Sequence, residues 1–158
     1  MHKPTLAFAL LLAALPAFAF APTVSKDAPP DKSVRAESQE QLEKMHKATA
    51  PYVKQAKKTY PAAKERFLKG LPAGEGFFVT TRLHDEQGHE EQVFVAVVSI
   101  ENGTVSGVIS SPIYAVAGYR NGQPYTFPES ELVDWLISKP DGSEEGNVVG
   151  KFLDTYQP

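Results

Sequence analysis

Six residues able to do acid, base or metal chemistry fall within eight positions: His84, Asp85, Glu86, His89, Glu90 and Glu91. Two imidazoles among carboxylates are the donor set for Zn²⁺, Cu²⁺ or Ni²⁺. Their spacing matches no metal motif, and a hairpin turn is where solvated charge collects. The expectation is therefore no bound metal, with His84 and His89 as the residues to watch. A second acidic group, Glu129, Glu131, Asp134, Glu144 and Glu145, could converge across strands as the paired carboxylates of a hydrolase acting on envelope material. Nucleophilic catalysis has little to work with. There is no cysteine, no Gly-x-Ser-x-Gly elbow and no phosphate-cradling glycine loop. Only His46, His84 and His89 remain as bases outside the first residues. No catalytic residue and no cofactor are expected.

Asp134-Trp135 holds the only tryptophan. Successive strand residues point to opposite faces, which sets Trp135 with Val133 and Ile137, and Asp134 with Leu132 and Leu136. Trp135 is read as core. Asp134 is read as either exposed or accepting backbone N–H groups in the bend after Pro128.

The elements that would position these residues follow from period and punctuation. Ser38-Gln-Glu-Gln41 is a capping box, and Leu42, Met45, Thr49, Tyr52, Val53, Ala56, Tyr60, Ala63 and Phe67 recur at helical spacing. Pro51 and Pro61 predict a kink or a division into short helices, and Gly70 and Pro72 end the segment. From Phe77 the period becomes two. Strands are predicted at Phe77 to Leu83, Gln92 to Val98, Thr104 to Ile109, Gln123 to Pro128, Leu132 to Ser138 and Val148 to Leu153. The Asn102-Gly103 pair signals a type I′ hairpin, and Ile113 to Gly118 a short turn or helix. Strands behind a helical segment make an α+β domain over residues 38–158. The sheet is expected to be small, antiparallel and strongly bent, toward an SH3-like partial barrel.

Residues 1–19 read as a signal peptide: a basic start, an apolar run too short to span a bilayer, and Ala17-Phe18-Ala19 before the cleavage point. This addresses the protein to the periplasm or the exterior. Residues 20–37, rich in Pro, Asp, Lys and Ser, read as a flexible linker. No later segment is apolar and long enough to be an integral membrane span.

Charge is divided. Eight Lys/Arg against three acids between Glu40 and Lys69 give +5, whereas four against thirteen from Gly70 onward give −9. Attraction between a basic helix and an acidic sheet accounts for this, with a basic face for an anionic partner as the alternative. The overall charge of −3 does not suit nucleic acid.

From Ala56 onward the order of residues resembles the YegJ-like bacterial family, domain of unknown function 2314. The resemblance rests on Ala56, Thr59, Pro61 and Phe67, then Glu91 and Phe94, Gly107, Pro112, Gly122, Asp134-Trp135 and Gly146-Asn147. It departs at Gln92 and Phe94, where the family has His and Trp, and at Ser110-Ser111, where it has Asn-Asp. It implies a shared fold in which these positions are structural, and assigns no activity. The combined reading is an exported, non-enzymatic domain that binds a protein or an envelope component, in the manner of an inhibitor or immunity protein. Envelope hydrolase is its rival. The partner and the oligomeric state are not legible.

Overall fold

A computed structural model describes residues 21–28, 36 and 38–157. Helix α1 spans Gln39–Lys69. It opens where predicted, with the Gln41 N–H donating to Ser38 Oγ at 3.2 Å, and closes on Gly70, whose φ of 94° suits a residue without Cβ. The division into short helices does not occur: one helix runs through both Pro51 and Pro61. Each proline costs a backbone hydrogen bond and about 3 kcal/mol. The helix continues because Thr49, Ala56, Tyr60 and Ala63 are buried along one stripe, and tertiary burial outweighs the local penalty.

Six strands follow: β1 (Gly76–His84), β2 (Glu90–Glu101), β3 (Thr104–Ile109), β4 (Pro124–Pro128), β5 (Asp134–Ser138) and β6 (Glu144–Gly146). They form one sheet in the order β4-β3-β2-β1-β5-β6 with every pairing antiparallel. The sheet is open, and the SH3-like closure is not observed. The α+β class stands. Asn102 and Gly103 take positive φ, 50° and 75°, at the β2–β3 turn. Between Val97 and Ser99 the register shifts. Gly107 faces this irregularity, and a Cβ there would overlap the Ala96 carbonyl oxygen.

Alternation sorts the sheet into two apolar layers. Phe77, Val79, Leu83, Val93, Val95, Val97, Trp135 and Ile137 join Ala56, Tyr60 and Ala63 of α1 in the main core. Phe78, Ala96 and Leu136 form a smaller cluster with Ala21 and Phe94 packed on it. Residues 21–28 thus do not behave as the free linker expected. Ala21 covers this second face, and the Ser25 N–H approaches Ser138 Oγ at 3.5 Å. The predicted leader and the rest of the linker, Ala36 excepted, lie outside the described residues. Among those described, no helix is long and apolar enough to cross a membrane.

The predicted last strand is instead helix α2, Val148–Leu153. Gly146 and Asn147 both adopt positive φ, 83° and 53°, which turns the chain out of β6. The apolar face of α2 then stacks Phe152 on Tyr52 of α1, ring centroids 4.3 Å apart. Ile113 to Gly118 holds a bend at Ala115 and a turn at Ala117-Gly118, without a helix.

Candidate functional site

The Asp134-Trp135 and Gly146-Asn147 pairs form one junction. The Trp135 indole is buried, and its Nε1–H donates to Thr59 Oγ1 of α1 at 3.0 Å. The Trp135 carbonyl accepts from the Asn147 N–H at 2.7 Å, and a Cβ on Gly146 would collide with that same carbonyl. Asp134 is neither exposed nor a cap on the bend after Pro128. It is 1 % exposed and accepts the Trp135 N–H at 2.8 Å and the Val149 N–H at 2.6 Å. It anchors the start of α2. Burial pushes its carboxyl up to about 6, while the N–H groups of Val149, Trp135, Gly150 and Val148 pull the other way. This junction is architecture, closed to a ligand.

The remaining acids of the hydrolase reading do not face one another as a pair. Glu129 binds Lys64 Nζ at 2.7 Å, Glu145 binds Arg66 at 2.6 Å, and Glu144 accepts from Asn147 Nδ2 at 2.9 Å. Nothing places Glu131 opposite any of them. The Tyr60 hydroxyl is buried without a partner of hydrogen-bonding geometry. Burial first, and the Glu129 carboxylate second, hold its proton on well above the ordinary phenol range.

In the hairpin turn the carboxylates organise backbone. Glu91 accepts the N–H groups of Tyr114, Ala115 and Val116 at 2.7–3.2 Å. Asp85 accepts those of Gln87, His89 and Ala117, and lies 2.9 Å from His89 Nδ1. Burial raises the Asp85 carboxyl, but the Ala117 amide and the His89 imidazole and amide outweigh it and hold it at about 2. His84 turns instead to Glu90, 3.1 Å away. The two candidate ligands thus serve different carboxylates, and no group of three His, Asp or Glu among the described residues could hold a metal ion.

Glu90 leads to the more open part of the molecule. It is 11 % exposed and meets His46 Nε2 at 2.6 Å, His84 Nε2 at 3.1 Å and Arg82 Nε at 3.4 Å. The sequence offers His46 only as a base on the predicted helix. It is in fact tied to a residue 44 positions away. Two imidazoles on one carboxylate suggest a metal, but the Arg82 guanidinium at that carboxylate repels a cation. Beside this cluster a groove of about 400 Å³ runs between α1 and β1, lined by His46, Ala50, Val53, Lys54, Lys57 and Arg82. Steps of three, four and seven put the five helical residues on one flank. Lys57 Nζ also donates to the Ser130 carbonyl at 2.9 Å. Among the described residues nothing pairs with Lys47, Lys54 or Lys58. Such a site can attract and orient an anion. The helical spacing of these basic residues was a signal for it in the sequence; the contribution of Arg82 from β1 was not.

Phe67, Phe94, Pro112 and Gly122 lie in or beside the sheet and its packing. Phe67 stacks on Phe77 at 5.1 Å, and the Phe94 N–H donates to Ser111 Oγ at 2.8 Å beside Pro112. The Gly122 N–H donates to the Ile109 carbonyl at 2.8 Å. No family model, no curated protein and no solved structure matches the chain.

Proposed function

We propose that the protein is an exported, non-catalytic binding module that holds an anionic group of a protein or envelope partner in the groove between α1 and β1. The observation that carries this reading is the convergence of His46, Lys54, Lys57 and Arg82 on one concavity. Lys47, Lys54 and Lys58, which pair with no described residue, add attraction along the same helix. Export rests on the leader-like first 19 residues, and kinship with the YegJ-like family belongs to the same proposal. An inhibitor or immunity role fits a domain of this size.

The test is capture of partners from a cell envelope fraction by tagged wild-type protein and by the Lys54→Gln/Lys58→Gln variant. A partner retained by the first and lost by the second at moderate ionic strength is the expected result. Partners that bind both equally would place recognition elsewhere, and the groove reading would be abandoned.

A further inference from the structure

The geometry points to a linear phosphodiester chain joined by short carbon linkers as the occupant of the groove, an inference that rests on the binding reading above. Three observations narrow the chemistry.

The first is the supply of charge. Lys54, Lys57 and Arg82 line the groove, Lys47 and Lys58 stand next to its lining residues on α1, and Glu90 is the acid beside Arg82. The next acid on the helix, Glu43, lies one turn before His46. The closest approach of Arg82 to Glu90 is Nε, at 3.4 Å, and its guanidinium makes no hydrogen bond to a described residue. A free guanidinium fork is suited to two oxygens of one phosphate.

The second is the spacing. Lys47, Lys54 and Lys58 are seven and four residues apart on the side of α1 opposite its buried stripe, which separates them by axial rises of about 10 and 6 Å. They form a line leading past the groove. A single small anion would satisfy the Arg82 end and leave the line unused. Charges in series on a polymer engage both.

The third is what the groove lacks. Its floor is Ala50 and Val53, with no aromatic ring. Unpaired bases bind by stacking on aromatic side chains, which this floor does not offer a single-stranded nucleic acid. Small apolar contacts do suit the carbon linker of a polyol phosphate, which inorganic polyphosphate does not have. A membrane surface is disfavoured because, among the described residues, the exposed large apolar ones are Val24, Leu68, Val98 and Tyr114. Only Leu68 is on α1, and it lies outside the groove.

The experiment is fluorescence anisotropy with labelled poly(glycerol phosphate) and the intact exported chain over a range of salt. Binding should weaken with salt along a log–log slope of about −0.7 per phosphate engaged. Lys54→Gln/Lys58→Gln should lower affinity about tenfold, and Arg82→Gln should lower it further. Lys44→Gln, which breaks an exposed pair with Glu40, should change it little. Circular dichroism establishes that each variant is folded; should Arg82→Gln fail, the lysine variant alone decides. Competition arms use inorganic polyphosphate, single-stranded DNA and anionic phospholipid vesicles at equal charge. The inference is overturned if any of these binds more tightly than poly(glycerol phosphate), if poly(glycerol phosphate) does not bind, or if the lysine variant binds as well as wild type. Should the envelope capture depend on Lys54 and Lys58 while poly(glycerol phosphate) fails to compete for it, the binding module stands and only this choice of ligand falls.

Discussion

The two halves of α1 carry the same residue types and use them in opposite ways. In the C-terminal half, Lys64 and Arg66 reach Glu129 and Glu145 on the sheet side, Thr59 takes the Trp135 indole N–H, and Tyr60 and Phe67 stack with Phe77. From the N-terminal half to just past the middle, Lys47, Lys54 and Lys58 pair with no acid among the described residues, and the helix flank borders a groove. Attraction between a basic helix and an acidic sheet therefore explains only one end. Charge counted along a sequence says how much cation exists, and the fold decides which part is neutralised.

The sharpest way to break this contrast is at the fastened end. Trp135→Ala removes a buried ring and the bond to Thr59, and should cost about 3–5 kcal/mol in urea-induced unfolding. In the wild-type protein the indole should emit as a buried fluorophore and resist iodide. Water-exposed emission would mean that the indole is not seated under α1.

Next in size is Asp134→Ala, which strands the N–H groups at the start of α2 and should cost about 1–3 kcal/mol. Its pH dependence has a definite sign. A folded carboxyl near 6 against an ordinary value of 3.8 means that the folded chain binds this proton more tightly than the unfolded one. The group's contribution is complete below about pH 4 and is lost as pH rises through 6. The stability difference between wild type and variant, measured by urea titration from pH 4 to 7, should therefore be larger at the acid end. A difference that grows toward pH 7 would contradict the burial described for Asp134.

The smallest effects separate the halves most cleanly. Lys64→Ala breaks a partly exposed pair and should cost up to about 1 kcal/mol. Lys54→Gln/Lys58→Gln should leave stability within about 0.5 kcal/mol of wild type. A larger loss in the second case would show that these lysines fasten the helix after all.

Much of the fold was legible because its signals are local. Ser38 starts α1, the alternation at Phe77 to Leu83 marks β1, and Asn102-Gly103 turns β2 into β3. The core role of Trp135 followed from alternation alone. What failed depended on distant partners. Val148 to Leu153 is an apolar run that reads as either strand or helix, and the carboxylate that fixes its first turn comes from Asp134, on another element. His46 gives no local sign of Glu90. Ala21 has a place only once Phe78, Ala96 and Leu136 are side by side. The groove was half readable: the cations stood at helical spacing, but which of them remained unpaired depended on where the sheet brought Glu129 and Glu145.

Pro51 and Pro61 each leave a carbonyl one turn back, at Lys47 and Lys57, without its helical donor. A peptide excised as residues 39–69 would have to bear both defects with no sheet to lie on, and would be largely unwound in water. The basic flank is thus a property of the assembled domain. An occupant of the groove selects the folded chain over the unfolded one, and should raise its melting temperature with the logarithm of its concentration once that exceeds Kd.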